Sequence, residues 1–493
     1  MKKIVGIIAA LALAGSVFAD EPSVSPVILD FTGNAALEWI ANLDAETTGM
    51  KNTYEAKFKV SFISEGTKAT TGEGLWGELE IKEGKDEQEA SYKYDGGDVT
   101  SDSKSGTSVA APSVEKAIIH FIDDDFYASM DIKGPDLGLG GGDLFLATKS
   151  KSAYPETGAK FDGAQGFKIN FGLKELFDAN FSFADNGQQK SDAKEFGFKL
   201  DASLKAVENL DLYGGVAYNT IDEDVALAAK ASYKLDLGDY YLRPSVGFTL
   251  KDKAKYLRAA VMFGWDAEGE GADANFAKFS TAGKDAAIAA ADAAVAEALE
   301  AVITANGGQA AWDAMDEANQ EAALAADLLY QTAVYAAAAT KDGFDFYDGT
   351  NIPNKVNNGV SVMIGSDLED GTGIDILVGA YDSKLIGAFL PGFAAAAQFQ
   401  ANTETMDDFW MFDAAIKYSN TFDIWTIDAN FGLKLLKIGD DTETGFLYGF
   451  GVSTDNSFIQ NTKLYVNYKG EHAEDIGGAN LKGTVTVGAQ IHF

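Results

Sequence analysis

The clearest pattern of apolar and polar positions lies in residues 481–493. Apolar or small residues occupy every odd position, and polar residues or glycine occupy every even one. A period of two is the side-chain period of a β-strand, and it predicts a strand whose two faces meet different surroundings. So much apolar surface at the end of a chain is explained if one face meets lipid and the strand closes a transmembrane β-barrel. The positions predicted for this closing and assembly strand are Val485, Val487, Ala489, Ile491 and Phe493.

The same alternation recurs along most of the chain, with turn signals between the runs. Residues 227–237, for example, place apolar side chains at odd positions and Lys230, Ser232 and Lys234 between them. We count about 18 to 22 runs, which is the range of pore-forming barrels. A soluble β-sandwich would also show one apolar and one polar face. The barrel is favoured because small residues recur on the apolar face and because aromatic residues lie at strand ends, at Trp39, Tyr54, Tyr218, Tyr240, Trp265 and Tyr418.

Several stretches depart from this pattern. Residues 83–111 are polar and predict a long exposed loop, and residues 385–397 predict two short strands about Pro391. Residues 281–340 are rich in Ala, contain no Pro and show apolar positions at helical spacing, with a break at Gly307. We expect an antiparallel helical hairpin between two barrel strands, acting as a plug, a cap or an oligomer contact, or as a helical excursion without a role in transport. Long loops of such barrels are usually extracellular, which favours that side.

The beginning of the chain predicts export. Lys2 and Lys3 precede an apolar run over residues 4–14, which is too short to span a bilayer as a helix. Small residues at Val17 and Ala19 then fit signal-peptidase cleavage between Ala19 and Asp20. We therefore divide the chain into a signal peptide (1–19), a first part of the barrel (20–272), the helical insertion (273–345) and the C-terminal barrel strands (346–493).

The charge of the chain is strongly acidic, with a formal net charge of −36. This excludes nucleic acid as a favoured partner and favours cations and basic surfaces. We expect a pore with modest cation preference, although Lys230, Lys234 and Arg243 on the polar face could offset the acidity inside the lumen. The chain has no Cys, so it has no disulfides and no thiol chemistry.

Residues that could support catalysis are few. His120, His472 and His492 are the three histidines, and none lies in a recognisable nucleophile motif. Asp123, Asp124 and Asp125 are better explained as an acidic hairpin turn than as a calcium site. We predict no enzyme activity, no catalytic residue, no metal site and no cofactor, and we assign no binding residue.

The layout of the chain resembles the treponemal major outer sheath protein family, the porin-adhesins of the spirochaete outer membrane. The resemblance rests on the signal peptide, residues 22–37, the Ala-rich middle and residues 478–493. It implies an abundant surface barrel that forms water-filled pores and contacts host matrix, and it leaves open a separate N-terminal half. The last strand is also similar to the final strands of outer-membrane barrels, whose terminal Phe is read by the barrel-assembly machinery.

The sequence therefore predicts an all-β fold, a large antiparallel transmembrane β-barrel that carries an Ala-rich helical hairpin. We expect a surface-exposed outer-membrane porin and major surface antigen that passes small hydrophilic solutes or cations by diffusion. The alternatives are an adhesin or sheath protein that binds host matrix and uses the barrel as its anchor, and a soluble periplasmic β-protein. Expected partners are outer-membrane lipid and the barrel-assembly machinery, and a homotrimer is kept open.

Overall fold

The structure is a computed structural model. It describes residues 27–44, 46–63, 74–95, 98–102, 113–123, 125–132, 137–139, 144–148, 165–174, 176–185, 196–220, 224–251, 254–265, 272–273, 276, 282–315, 317–334, 337, 355–368, 373–404, 406–407, 409–438, 441–454, 459–473 and 480–492. The predicted cleavage site at Ala19 and Asp20, and Phe493, lie outside these residues.

The described chain is mostly β-strand, as the alternating pattern predicts. The first half contains β1 (Val27–Asn42), β2 (Thr47–Ile63), β3 (Gly74–Asp95), β4 (Asp98–Asp102), β5 (Ser113–Ile122), β6 (Phe126–Asp131), β7 (Gln165–Leu173), β8 (Phe177–Asp185), β9 (Phe196–Leu204), β10 (Leu210–Asn219), β11 (Asp224–Tyr233), β12 (Leu235–Asp236), β13 (Tyr241–Lys251) and β14 (Ala254–Gly264). The second half contains β15 (Ala272–Asp273), β16 (Lys355–Val356), β17 (Gly359–Asp367), β18 (Asp375–Asp382), β19 (Phe393–Asn402), β20 (Phe409–Phe422), β21 (Trp425–Ile438), β22 (Asp441–Thr454), β23 (Thr462–His472) and β24 (Asn480–His492).

These strands close into an antiparallel barrel of 20 strands, which confirms the predicted fold class. Each barrel strand pairs with the next along the chain, β4 extends the free edge of β3, and β12 continues β11. The first and last strands also pair, because Asn34 to Asn42 lie opposite His492 to Thr484. Strands before and after the helical insertion therefore lie in one sheet.

Apolar side chains face outward and polar side chains face inward, which reverses the arrangement of a soluble protein. Leu29, Phe31 and Phe450 keep 57%, 58% and 53% of their surface exposed. Lys199, Arg258 and Lys434, on inward faces, are buried. Exposed apolar surface of this extent marks contact with something other than water. A barrel whose backbone groups pair all round can present it to lipid.

Additional contacts hold the seam between β1 and β24. The Asp44 carboxylate, in the turn after β1, accepts hydrogen bonds from the backbone N–H groups of Lys482 (2.5 Å) and Gly483 (3.1 Å). The Tyr465 hydroxyl, on β23, donates to Glu38 Oε1 on β1 at 2.5 Å, passing over Gly488 of β24. A Cβ at position 488 would meet the Tyr465 ring at 2.5 Å, so glycine is needed there. The seam is therefore tied both at its rim and across its inner face.

The helices lie in two connections. Between β14 and β17 are α1 (Ala282–Ala305), α2 (Gln309–Asp313) and α3 (Glu317–Ala326), and residues 328–334 are also helical. Gly307 and Gly308 have φ of 96° and 84°, a backbone conformation that favours glycine, and they separate α1 from α2 as predicted. Within the described part of the chain, the helices are too short or too polar to cross a membrane. Counting strands places this insertion at the end of the barrel where β1 begins and β24 ends.

Two predictions about connections are wrong. Residues 83–111 were predicted as a loop, but β3 continues to Asp95 and pairs with β4. β5 pairs with β3 only as far as Lys82, so the same edge of β3 is free beyond that residue and β4 binds there. Before Pro391 the predicted strand is a short helix, α4 (Leu385–Phe389), whose first N–H groups are capped by the Asp382 carboxylate. The hairpin turn between β20 and β21 lies at Asp423, with φ of 58°.

Candidate functional site: the barrel lumen

Two described stretches of the connection between β6 and β7 lie in the lumen. These stretches, residues 137–139 and 144–148, are buried against the inner faces of strands that follow much later in the chain. Leu137 and Leu139 pack with small inward residues of β8, β10 and β11, and Leu144 and Leu146 pack with β14, β17 and β18. We call these two stretches, residues 137–139 and 144–148, the in-folded segment. It covers the lumen wall from β8 to β18.

Polar contacts fasten this segment to the wall. Lys199 Nζ on β9 donates to the Gly138 carbonyl at 2.7 Å, and the Ala147 N–H donates to Ser361 Oγ on β17 at 2.9 Å. Asn357, just before β17, donates its side-chain amide to the Leu146 carbonyl at 2.8 Å. Its backbone N–H donates to the Ala147 carbonyl at 3.0 Å. These bonds satisfy backbone groups that would otherwise be costly to bury.

Two cations lie over the Phe145 ring. The Arg243 guanidinium on β13 lies 3.1 Å from the centre of the Phe145 ring, and Lys230 Nζ on β11 lies 5.2 Å from it. Asp211 on β10 pairs with both cations, at 3.0 Å to Lys230 and 3.8 Å to Arg243. A cation over an aromatic face contributes about 2 kcal/mol where water is excluded. Phe145 is therefore the side chain through which the segment engages the charged part of the wall.

Small residues on the strands make room for the segment. A Cβ at Gly215 on β10 would lie 2.8 Å from Leu139 Cδ2, and one at Gly379 on β18 would overlap the Thr148 hydroxyl. The inward alanines at positions 217, 226, 228 and 260 serve the same purpose. Small residues therefore occur on the inward faces because the in-folded segment packs against them. They are distinct from the small residues on the apolar outer face.

The connection between β14 and β17 also contributes a side chain to the lumen. Phe276, between β15 and α1, is buried and meets Tyr381 edge-on, with ring centroids 6.3 Å apart. It belongs to an inner cluster with Met411, Leu436 and Leu447. Beside that cluster, Asp413 and Lys434 pair at 3.6 Å with both side chains fully buried. The wall from β18 to β22 is thus covered in part as well.

The wall formed by β2, β3 and β5 carries a charge ladder that faces the lumen. Lys59 pairs with Glu78 at 2.7 Å, and Lys82 pairs with Glu55 at 3.1 Å. On β5, Lys116 lies 3.7 Å from Glu80. These lysines keep between 29% and 50% of their side-chain surface exposed, unlike the buried cations of the covered wall. This wall is therefore open to water and solutes.

The structure places the predicted site residues as follows. Val487 and Ile491 are exposed on the outward face of β24, which also carries Val485 and Ala489, and their role in assembly stays a prediction. Lys230, Lys234 and Arg243 face the lumen, but they contact Phe145 and Tyr241 rather than open solvent. His120 stacks on Trp76 with ring centroids 4.0 Å apart, and Asp123 and Asp125 lie in the turn between β5 and β6, as predicted. Across the described residues, His, Asp and Glu side chains form no cluster that could hold a metal ion.

The comparisons with known proteins point to one group. No family model matches the chain. A major surface protein of Treponema lecithinolyticum, MspTL, is 46% identical over 82 residues, and a major outer membrane protein of Treponema maltophilum, MspA, is 46% identical over 81 residues. Over these stretches the chain is similar to two treponemal major surface proteins. The predicted resemblance to the major outer sheath family is confirmed over this stretch.

These matches have limited reach. They cover 17% and 16% of this chain and only 14% of the length of each treponemal major surface protein. Among solved structures, OprB of Pseudomonas putida is 9% identical with a TM-score of 0.31, covering 94% of this chain and 92% of its own. OccK7 (OpdD) of Pseudomonas aeruginosa is 7% identical with a TM-score of 0.36, covering 97% and 99%.

Proposed function

We propose that this protein is an outer-membrane porin, a water-filled diffusion pore for small hydrophilic solutes. One observation carries the proposal: a closed barrel with apolar side chains outside encloses a lumen lined by charged side chains. Lipid excludes such charges, so they mark the side of the wall that faces away from the membrane. In a barrel filled by side chains all of them would be buried, whereas the lysines on β2, β3 and β5 stay partly exposed. The similarity to proteins named as major surface and outer membrane proteins supports this location and a further role as a surface antigen.

The in-folded segment would set the width of this pore. It is fastened at Gly138, Leu146 and Ala147 and packed over the wall from β8 to β18, so it removes part of the cross-section. Solutes would then pass between the segment and the ladder on β2, β3 and β5. Export through a signal peptide, insertion by the barrel-assembly machinery and assembly as a homotrimer belong to the same proposal.

Surface adhesion is the second candidate. β3 continues from residue 83 to Asp95 beyond its pairing with β5 and forms a hairpin with β4. This hairpin lies at the end of the barrel opposite the helical insertion. A projecting hairpin offers a surface to host matrix, and in this case the barrel would be mainly an anchor.

Planar-bilayer recordings decide between these functions. Protein refolded in detergent and shown by far-UV circular dichroism to be rich in β-strand should produce discrete conductance steps. A folded protein that inserts into vesicles but gives no steps would reject the porin and favour the adhesin.

A further inference from the structure

The lysines of the ladder are more exposed than the carboxylates that pair with them. Lys57, Lys59, Lys82 and Lys116 keep 41%, 38%, 29% and 50% of their side chains exposed. The paired carboxylates of Glu55, Glu78 and Glu80 keep 24%, 9% and 14%. Ammonium groups therefore form the surface that a solute meets, and the carboxylates lie behind them.

Two of these lysines stand directly opposite each other. In the register of β2 and β3, Lys57 is the cross-strand partner of Lys82. Like charges at directly opposite positions destabilise a sheet. Glu55 lies 3.7 Å from Lys57 and 3.1 Å from Lys82, and Glu80 lies 4.0 Å from Lys57, so carboxylates hold the two ammonium groups side by side. Functional sites are where proteins most often depart from such a local rule.

In the neighbouring row of cross-strand partners, the side-chain charges alternate in sign. Lys59 on β2 lies opposite Glu80 on β3, which lies opposite Lys116 on β5. Asp30 on β1 lies opposite Lys59 and adds an exposed carboxylate where β1 extends past the end of β24. Two residues further along each strand, Lys57 and Lys82 break this alternation, because there two cations stand directly opposite each other.

We propose that Lys57 and Lys82, supported by Lys116, form an anion-binding site on the reachable wall of the lumen, suited to small carboxylates or phosphates. The site rests on the proposed pore function. The strongly acidic net charge of the chain does not cancel it, because charges farther away than about 8 Å are largely screened at physiological ionic strength. The local ammonium groups therefore decide which ions are concentrated at this point of the path.

The test compares two double variants that change the net charge equally. Lys57→Gln with Lys82→Gln removes the site, and Lys205→Gln with Lys384→Gln removes two exposed lysines from connections at the end of the barrel. Reversal potentials are measured in planar bilayers across gradients of potassium chloride, potassium acetate and potassium phosphate. Strand content and insertion are checked for each protein first.

Removing the site should lower the anion-to-cation permeability ratio about threefold, since each ammonium acts on a nearby ion through water. The control double variant should leave the ratio close to that of the wild type. If the permeability ratio depends on the two lysines in potassium acetate, the site accepts carboxylates. If it depends on them in potassium phosphate, the site accepts phosphates. Equal ratios for all three proteins in every salt would overturn the site while leaving the pore in place. Absence of conductance from all three would instead reject the pore.

Discussion

Val487 and Thr486 are neighbours on β24 whose side chains point to opposite sides of the barrel wall. Val487 is 41% exposed and lies opposite Trp39 and Val466, both exposed apolar residues. Thr486 lies opposite Asn467 on the inward face. Val487→Lys should lower the free energy of unfolding by about 2–4 kcal/mol near the bilayer midplane, whereas Thr486→Lys should cost far less. Unfolding in lipid vesicles measures both, and equal losses would show that the faces are wrongly assigned.

Asp44 makes the seam sensitive to acid. The hydrogen bond from the Lys482 N–H, together with that from Gly483, lowers the pKa of the Asp44 carboxyl below its ordinary value of 3.8. A lowered pKa in the folded state gives stability that is present above the unfolded pKa and is lost as the pH falls through the folded one. The loss of unfolding free energy in Asp44→Asn should be constant above about pH 5 and shrink below 3.8. A loss that is the same across this range would show that the ionised carboxylate does not stabilise the seam.

At the scale of elements, the strands were predictable and the in-folded segment was not. Alternation identifies which side chains share a face, so the outward band at Leu29, Phe31 and Leu37 followed from the sequence. Phe145 carries no such signal, because its partners Lys230 and Arg243 are brought to it only by closure of the barrel. Glycine at positions 215 and 379 was a usable hint, since an inward glycine often marks close approach of another segment.

The helical insertion should be separable from the barrel. It connects β14 to β17, which pair directly with each other, so the strands do not need the helices to find their register. Replacing residues 282–334 by a short Gly/Ser connection should leave a folded barrel, because the entropy of loop closure changes slowly with length. Strand content and resistance to unfolding of the variant test this. Failure to insert would show that the helices belong to the architecture of the barrel.

At the scale of the whole molecule, strand number fixes which connections share a side. With 20 strands, the helical insertion lies at the end where β1 begins, and the β3–β4 hairpin lies at the other end. An exported chain reaches the outer membrane from the periplasm, so we infer that β1 begins there and that the insertion is periplasmic. This reverses the side favoured by loop length alone.

Single cysteines can test this orientation, because the chain has none of its own. Ala301→Cys on α1 and Glu404→Cys in the connection after β19 are both at exposed positions. A membrane-impermeant thiol reagent added to intact cells should label position 404 and spare position 301, and both should react after the cells are opened. Labelling of position 301 in intact cells would contradict the inferred side.

We propose that the lumen is a pore whose width is set by the in-folded segment. The most direct test is the single-channel conductance of the wild type beside a variant in which residues 137–148 are replaced by a shorter Gly/Ser connection. The shortened variant should give larger steps, because the wall from β8 to β18 would be uncovered. Equal conductance of the two folded proteins, or larger steps from the wild type, would contradict the account.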